Sequence, residues 1–106
     1  MATFKSYGTA AIGTTETAVL TVTQKSIVIG FAVSNVYGSV MPITIKLYKA
    51  GGTIVHIAKA RRVESGAYVD LMAGNKLVLE VGDVLKSYAG DTSAFDVTVS
   101  VLEGVA

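Results

Sequence analysis

The chain contains no cysteine and no tryptophan, and it has a single proline, Pro42, and a single histidine, His56, among 106 residues. Without cysteine there is no disulfide framework, no thiolate metal site and no thiol nucleophile. One histidine is too few for a histidine-rich metal centre or a multi-histidine relay. Charge is also scarce. Charged residues make up 16% of the chain, where about 25% is usual. Nine Lys plus Arg against eight Asp plus Glu give no electrostatic case for nucleic acid. Long apolar runs are missing too. Ile27 to Val33, seven residues including Gly30, is far short of the roughly 20 that span a bilayer. The opening MATFKSYGTAAIG lacks the apolar stretch of a signal peptide. No cofactor, no metal, no nucleic acid and no membrane partner are expected, and synthesis in a cytosol is.

What the chain has is apolar weight. Apolar residues form 51% of it, and the mean hydropathy is +0.55. Its length suits one domain with its own core. In a domain of this size such a balance leaves apolar surface over, and surplus apolar surface marks an interface.

The hydrophobic period is two almost throughout. Ala18, Leu20 and Val22 alternate with Thr17, Thr21 and Thr23. Ile27, Ile29, Phe31 and Val33 are expected on one buried face, with Val28, Gly30, Ala32 and Ser34 opposite. Ile43, Ile45 and Leu47 alternate with Thr44, Lys46 and Tyr48. Ala67, Val69 and Leu71 alternate with Tyr68, Asp70 and Met72. Phe95, Val97, Val99 and Val101 alternate with Asp96, Thr98, Ser100 and Leu102. Half-buried antiparallel strands have this pattern. Turn signals at Asn35 to Ser39, Gly51-Gly52, Ser65-Gly66, Ala73-Gly74-Asn75, Gly82-Asp83 and Gly90-Asp91 separate the runs. The spacing predicts an all-β antiparallel sandwich, jelly-roll-like, with about eight strands. Residues 14–106 form its single domain. Residues 1–13 alternate poorly and are expected to be an N-terminal arm or a first strand, ordered on binding.

Few residues carry a chemical signal. Glu80 and Asp83 lie three apart around Gly82. A catalytic carboxylate pair needs a defined separation across a cleft, and a calcium site needs more oxygen ligands. Asp and Gly also form turns for backbone reasons, which is the preferred reading here. His56 has no nucleophile motif beside it, and no glycine-rich phosphate loop is present. Lys59, Arg61 and Arg62 make the only basic cluster, a loop suited either to solvent or to an acidic partner surface. Tyr37, Tyr48, Tyr68 and Tyr88 could form a sugar-stacking platform. They are equally good strand residues.

The order SIVIGFAVSNV, KLYKAGGTIVHIAKA, ESGAYVDLMAGNKLVLEVGDVL, SAFDVTVSVLEG resembles small β-sandwich structural proteins of tailed bacteriophages. The likeness runs over about residues 17 to 103. It includes Asn35 in the turn after the first long strand, the Gly-led strand from Gly66 to Leu71, Leu79, Gly82 and Asp83 in KLVLEVGD, and the final strand from Asp96 to Glu103. The resemblance implies a non-enzymatic virion component, foremost a capsid decoration or cement protein. Such a protein binds the outer capsid surface and reinforces contacts between major capsid subunits. Copies are expected to associate as dimers or trimers, assembled in the host cytoplasm. The alternative is a neck, tail or head-fibre module that recognises host glycans, and a third reading is a small hydrolase using Glu80 and Asp83. The interface is expected at Phe4 and Tyr7, at Tyr37, Val40 and Met41, and at Lys59, Arg61 and Arg62.

Overall fold

The computed structural model describes residues 2–72 and 75–105. Nine strands make two sheets, with no helix among the described residues. They are β1 (Thr3–Ile12), β2 (Thr17–Thr21), β3 (Ser26–Asn35), β4 (Met41–Tyr48), β5 (Ile54–Val63), β6 (Tyr68–Asp70), β7 (Leu77–Leu79), β8 (Val84–Ala89) and β9 (Phe95–Glu103). Sheet A has the order β1-β9-β3-β6, with β7 also on β3, and sheet B the order β2-β8-β4-β5. Every pairing is antiparallel. Strands β6 and β7 lie along opposite halves of β3, Tyr68 against Ser34 and Leu77 against Val28. Taken as one interrupted strand, they make each sheet four strands wide in the alternating order of a jelly roll.

The core lies between the sheets. Phe31, Phe95, Ile43, Ile45, Leu79, Leu85, Val28, Val33, Val97, Val99 and Val101 are fully or almost fully buried there. The alternations of β4 and β9 place their apolar sets inward as the period-two pattern predicts. In β3 the pattern breaks. Val28 pairs with Val101 and Gly30 with Ser100, so Ile29 is an extra residue in a bulge. The bulge shifts the phase by one. Val28 turns inward at 0% exposure while Ile29 is 41% exposed, the reverse of the strict alternation. A second bulge in β2 buries both Val19 and Leu20 and leaves Ala18 exposed.

Residues Thr3 to Ile12 are a paired strand rather than a free arm. β1 registers against β9 from Thr3–Glu103 to Thr9–Val97, then shifts before Ile12–Phe95. The segment alternates poorly because it is an edge strand with Gly8 and Ala10 on it. Its backbone, more than its side chains, holds it in place. The Gly51-Gly52 hairpin forms as predicted. Gly52 takes φ +102° and the Lys49 N–H donates to the Thr53 carbonyl at 2.8 Å.

Candidate protein interface

Asp83 is a structural anchor of the turn. Its carboxylate is 0% exposed. It accepts hydrogen bonds from Lys49 Nζ at 2.6 Å, Glu80 N at 2.9 Å and Ala50 N at 3.0 Å. Burial pushes its pKa up, but Lys49 and the two backbone N–H groups outweigh that, and the net position is below the ordinary value. Glu80 points elsewhere, its nearest cation Lys25 at 3.9 Å. The two acids do not converge. His56 is exposed on β5 opposite Lys46. Among the described residues no group of three His, Cys, Asp or Glu is placed to hold a metal.

The expected interface residues fall on separate surfaces. Phe4 is 73% exposed on the outer face of sheet A. Tyr7 lies on the opposite face of β1, half-buried, its hydroxyl donating to Glu103. That bond, then burial, raises the Tyr7 pKa. Tyr37 is tied down: its hydroxyl donates to Asp91 Oδ2 at 2.7 Å, and its N–H donates to Asn35 Oδ1 at 2.8 Å. The buried Asn35 amide in turn donates to the Ser39 and Val63 carbonyls, at 2.9 and 2.8 Å. Val40 is half-buried in the same loop. Met41 is core, 7% exposed, because it opens β4 on an inward register opposite Val63. It offers a partner nothing.

Lys59, Arg61 and Arg62 are not in a loop but on β5, the free edge of sheet B. Two bulges there set ten residues of β5 against eight of β4. At one of them Ala60 takes φ +49° and its N–H donates to Thr44 Oγ1 at 3.0 Å. Bulges and basic side chains both blunt an edge against further strand pairing. Arg61 registers against Ile43 and Arg62 against Pro42, so they lie on opposite faces of the strand. Lys59 and Arg61 border a groove with Ile57, Val69 and Leu71 between the two sheet edges.

Two outer faces remain. On sheet B the tyrosines are partly gathered: Tyr48 and Tyr88 point outward from β4 and β8. Between them lie Lys46, 3.1 Å from Glu16, and Lys86, 4.5 Å above the Tyr48 ring. Tyr48 donates to Glu16. That bond lowers the Glu16 pKa, with burial opposing it and Lys46 adding to it. Tyr37 and Tyr68 are elsewhere, so no four-tyrosine platform exists.

The outer face of sheet A is different in kind. Across it Phe4 registers with Leu102, Leu102 with Ile27, and Ile27 with Val78. This apolar row spans the full width of the sheet. Phe4 is 73% exposed, Val78 50%, and the bulge adds Ile29 beside them. Asp70, opposite Ala32, turns its carboxylate to the Phe31 and Met72 N–H groups, at 3.3 and 3.0 Å. It thereby satisfies backbone where β6 ends. Ile29 and the bulge are what sequence reasoning missed, since a one-residue bulge leaves the apolar content of a strand unchanged.

No family model matches the chain, and no curated protein matches it. Among solved structures it is similar to a chain of Bacillus endospore appendages, described as a family of disulfide-linked pili. The TM-score is 0.63 at 14% identity, over 99% of this chain and 89% of that one. The likeness shows a common fold. A disulfide link is closed to the present chain, which has no cysteine. A xylan-binding domain from Paenibacillus barcinonensis aligns with a TM-score of 0.39 at 17% identity, over 97% of this chain and 83% of that one. That value is too low to carry an argument.

Proposed function

We propose that the chain is a non-enzymatic structural subunit of a larger protein assembly. The observation that carries this reading is the exposed apolar row Phe4–Leu102–Ile27–Val78, with Ile29 beside it. Exposed contiguous apolar surface on a small domain marks a protein contact, and permanent contacts are the more hydrophobic kind. The sequence resemblance narrows the assembly to a tailed-bacteriophage virion. There the chain acts as a capsid decoration protein on the outer surface, bridging major capsid subunits. Its mechanism is linkage: a protein that binds only the assembled shell stabilises the shell by mass action.

Quantitative mass spectrometry of purified particles tests this. A copy number near that of the major capsid protein, or a simple lattice fraction of it, is the expected result. A handful of copies moves the protein to the neck, tail or a fibre, and absence overturns the virion reading. The second reading, host-glycan binding, is favoured by the pairing of Tyr48 and Tyr88 with Lys46 and Lys86 on the outer face of sheet B. It requires glycan-array binding that is lost in Tyr48→Ala and Tyr88→Ala proteins of unchanged melting temperature.

A further inference from the structure

We infer that the outer face of sheet B binds an acidic polysaccharide, holding one carboxylate-bearing sugar in the depression beside Tyr88. The inference rests on the second reading above, glycan binding by this face, and names the class of glycan.

Shape is the first argument. Pro42 and Thr44 on β4, Lys59 and Ala60 on β5, Tyr88 on β8 and Gly90 just past it line a depression of about 180 Å³. Strand β4 runs between β8 and β5, so Tyr88 and Lys59 stand on opposite sides of its Pro42 and Thr44. Gly90 lies so close to Pro42 that a Cβ there would meet the proline Cγ at 2.9 Å. The bulge at Ala60, whose N–H is held by Thr44 Oγ1 at 3.0 Å, sets Lys59 at the rim. A bulge beside a functional surface commonly re-aims a side chain. A concave site with an apolar lining and a few placed polar groups is the usual form of a ligand pocket. This one is small enough to suit a single sugar ring. Tyr88 offers the ring an apolar face with a polar tip.

Charge is the second argument, and it selects the sugar. In the row next to the depression, Lys46 and Lys86 are directly opposite each other. Like charges in that position repel and cost stability. Glu16, 3.1 Å from Lys46, is the one acid paired with them among the described residues, and one carboxylate does not balance two ammonium groups. Lys59 and Lys86 are in no salt bridge among the described residues. Farther along β5, Arg62 is offset by Glu64 two residues on. A bound carboxylate relieves the repulsion and gains charge-assisted hydrogen bonds. The same lysines disfavour a protein partner here. The centre of a protein interface is apolar and poor in lysine, whereas the middle rows of this face are Thr44–Tyr88 and Lys46–Lys86. Beyond them comes Tyr48, with Lys86 4.5 Å above its ring. Thr44 to Tyr48 spans roughly 14 Å at 3.4 Å per residue, which gives the polysaccharide room beyond its first sugar.

The test is a glycan array probed with the full chain, carrying galacturonate, glucuronate and sialylated chains beside neutral galactan and dextran. Binding to acidic chains alone is the expected result. It should be lost at about 1 M salt, where charges are screened beyond roughly 3 Å. Lys59→Gln and Lys86→Gln should each weaken it by about tenfold. Lys25→Gln, the same charge change in the turn between β2 and β3, should leave it unchanged. Glu16→Gln should strengthen it, because the competing carboxylate beside Lys46 is gone. Unchanged melting temperatures check that each variant folds. Undiminished binding by both Lys59→Gln and Lys86→Gln overturns the site. Polyglutamate that displaces the glycan equally well overturns the sugar in favour of an acidic protein surface. Binding to neutral glycans as strong as to acidic ones overturns the acidic class while leaving the glycan reading in place. No binding to any chain overturns both.

Discussion

Asp83 shows how a residue that looks chemical in a sequence can be wholly structural. Its carboxylate accepts from Lys49 Nζ and from the Glu80 and Ala50 N–H groups. Asp83→Ala strands those donors and should cost roughly 2–3 kcal/mol, read as a lower urea midpoint. The pH dependence follows from the direction of the shift. The folded pKa lies below the ordinary value of 3.8, so the unfolded chain takes up the proton first as pH falls. The stabilisation is complete above the unfolded value and is lost as pH falls through the folded one. Glu16 and Asp91 shift the same way, Glu16 through Tyr48 first and Asp91 through Tyr37 first. Urea midpoints should therefore hold in neutral solution and drop in strong acid, and Asp83→Asn should flatten that drop. Ser87 is the opposite case. Ser87 is 0% exposed, and its hydroxyl has no hydrogen-bond partner among the described residues. An unmet buried hydroxyl is a cost, so Ser87→Ala should raise stability by about 1 kcal/mol, with the denaturant slope unchanged.

Elements were readable in the chain to the extent that their pattern was unbroken. The strand runs, the Gly51-Gly52 hairpin and the inward sets Ile43–Ile45–Leu47 and Phe95–Val97–Val99–Val101 all follow from period-two alternation, and all are present. The phase of β3 did not follow, because a bulge inserts one residue without any compositional mark other than Gly30. Met41 is core rather than interface for a related reason. A methionine after a polar turn reads as loop until its register against Val63 is known. The apolar row of sheet A was invisible because its members come from four strands far apart in the chain. Only Phe4 among them stands out in the sequence, as an aromatic in a poorly alternating segment. The bulge has a direct test. Val28 is fully buried and Ile29 is 41% exposed, so Val28→Ala should cost about 1–3 kcal/mol. Ile29→Thr should change monomer stability by no more than about 0.5 kcal/mol. Strict alternation requires the reverse order, and chemical denaturation of the two variants distinguishes them.

At the scale of the molecule, β1 is what closes sheet A. It pairs with β9 from Thr3–Glu103 to Ile12–Phe95, joining residues almost a full chain length apart. Without it β9 becomes the edge, a nine-residue strand whose inward set is Phe95, Val97, Val99 and Val101. A long apolar edge invites pairing with other chains. Its position on the inward face would also be lost for Tyr7, and with it the hydrogen bond to the nearly buried Glu103. That acid would keep no bond from Tyr7 and lose Lys5, now 3.7 Å away. Deleting residues 2–10 should therefore lower the melting temperature sharply and send much of the protein into aggregates. An arm that orders only on binding would leave the isolated domain soluble and its melting temperature unchanged. Total stabilities of such domains are only about 5–15 kcal/mol, so the loss of one whole ladder is decisive. The deletion also removes Phe4, so its effect on stability must be compared with that of Phe4→Asp. Phe4 projects from the outer face and its substitution should spare the fold, whereas the backbone of β1 should prove indispensable to it.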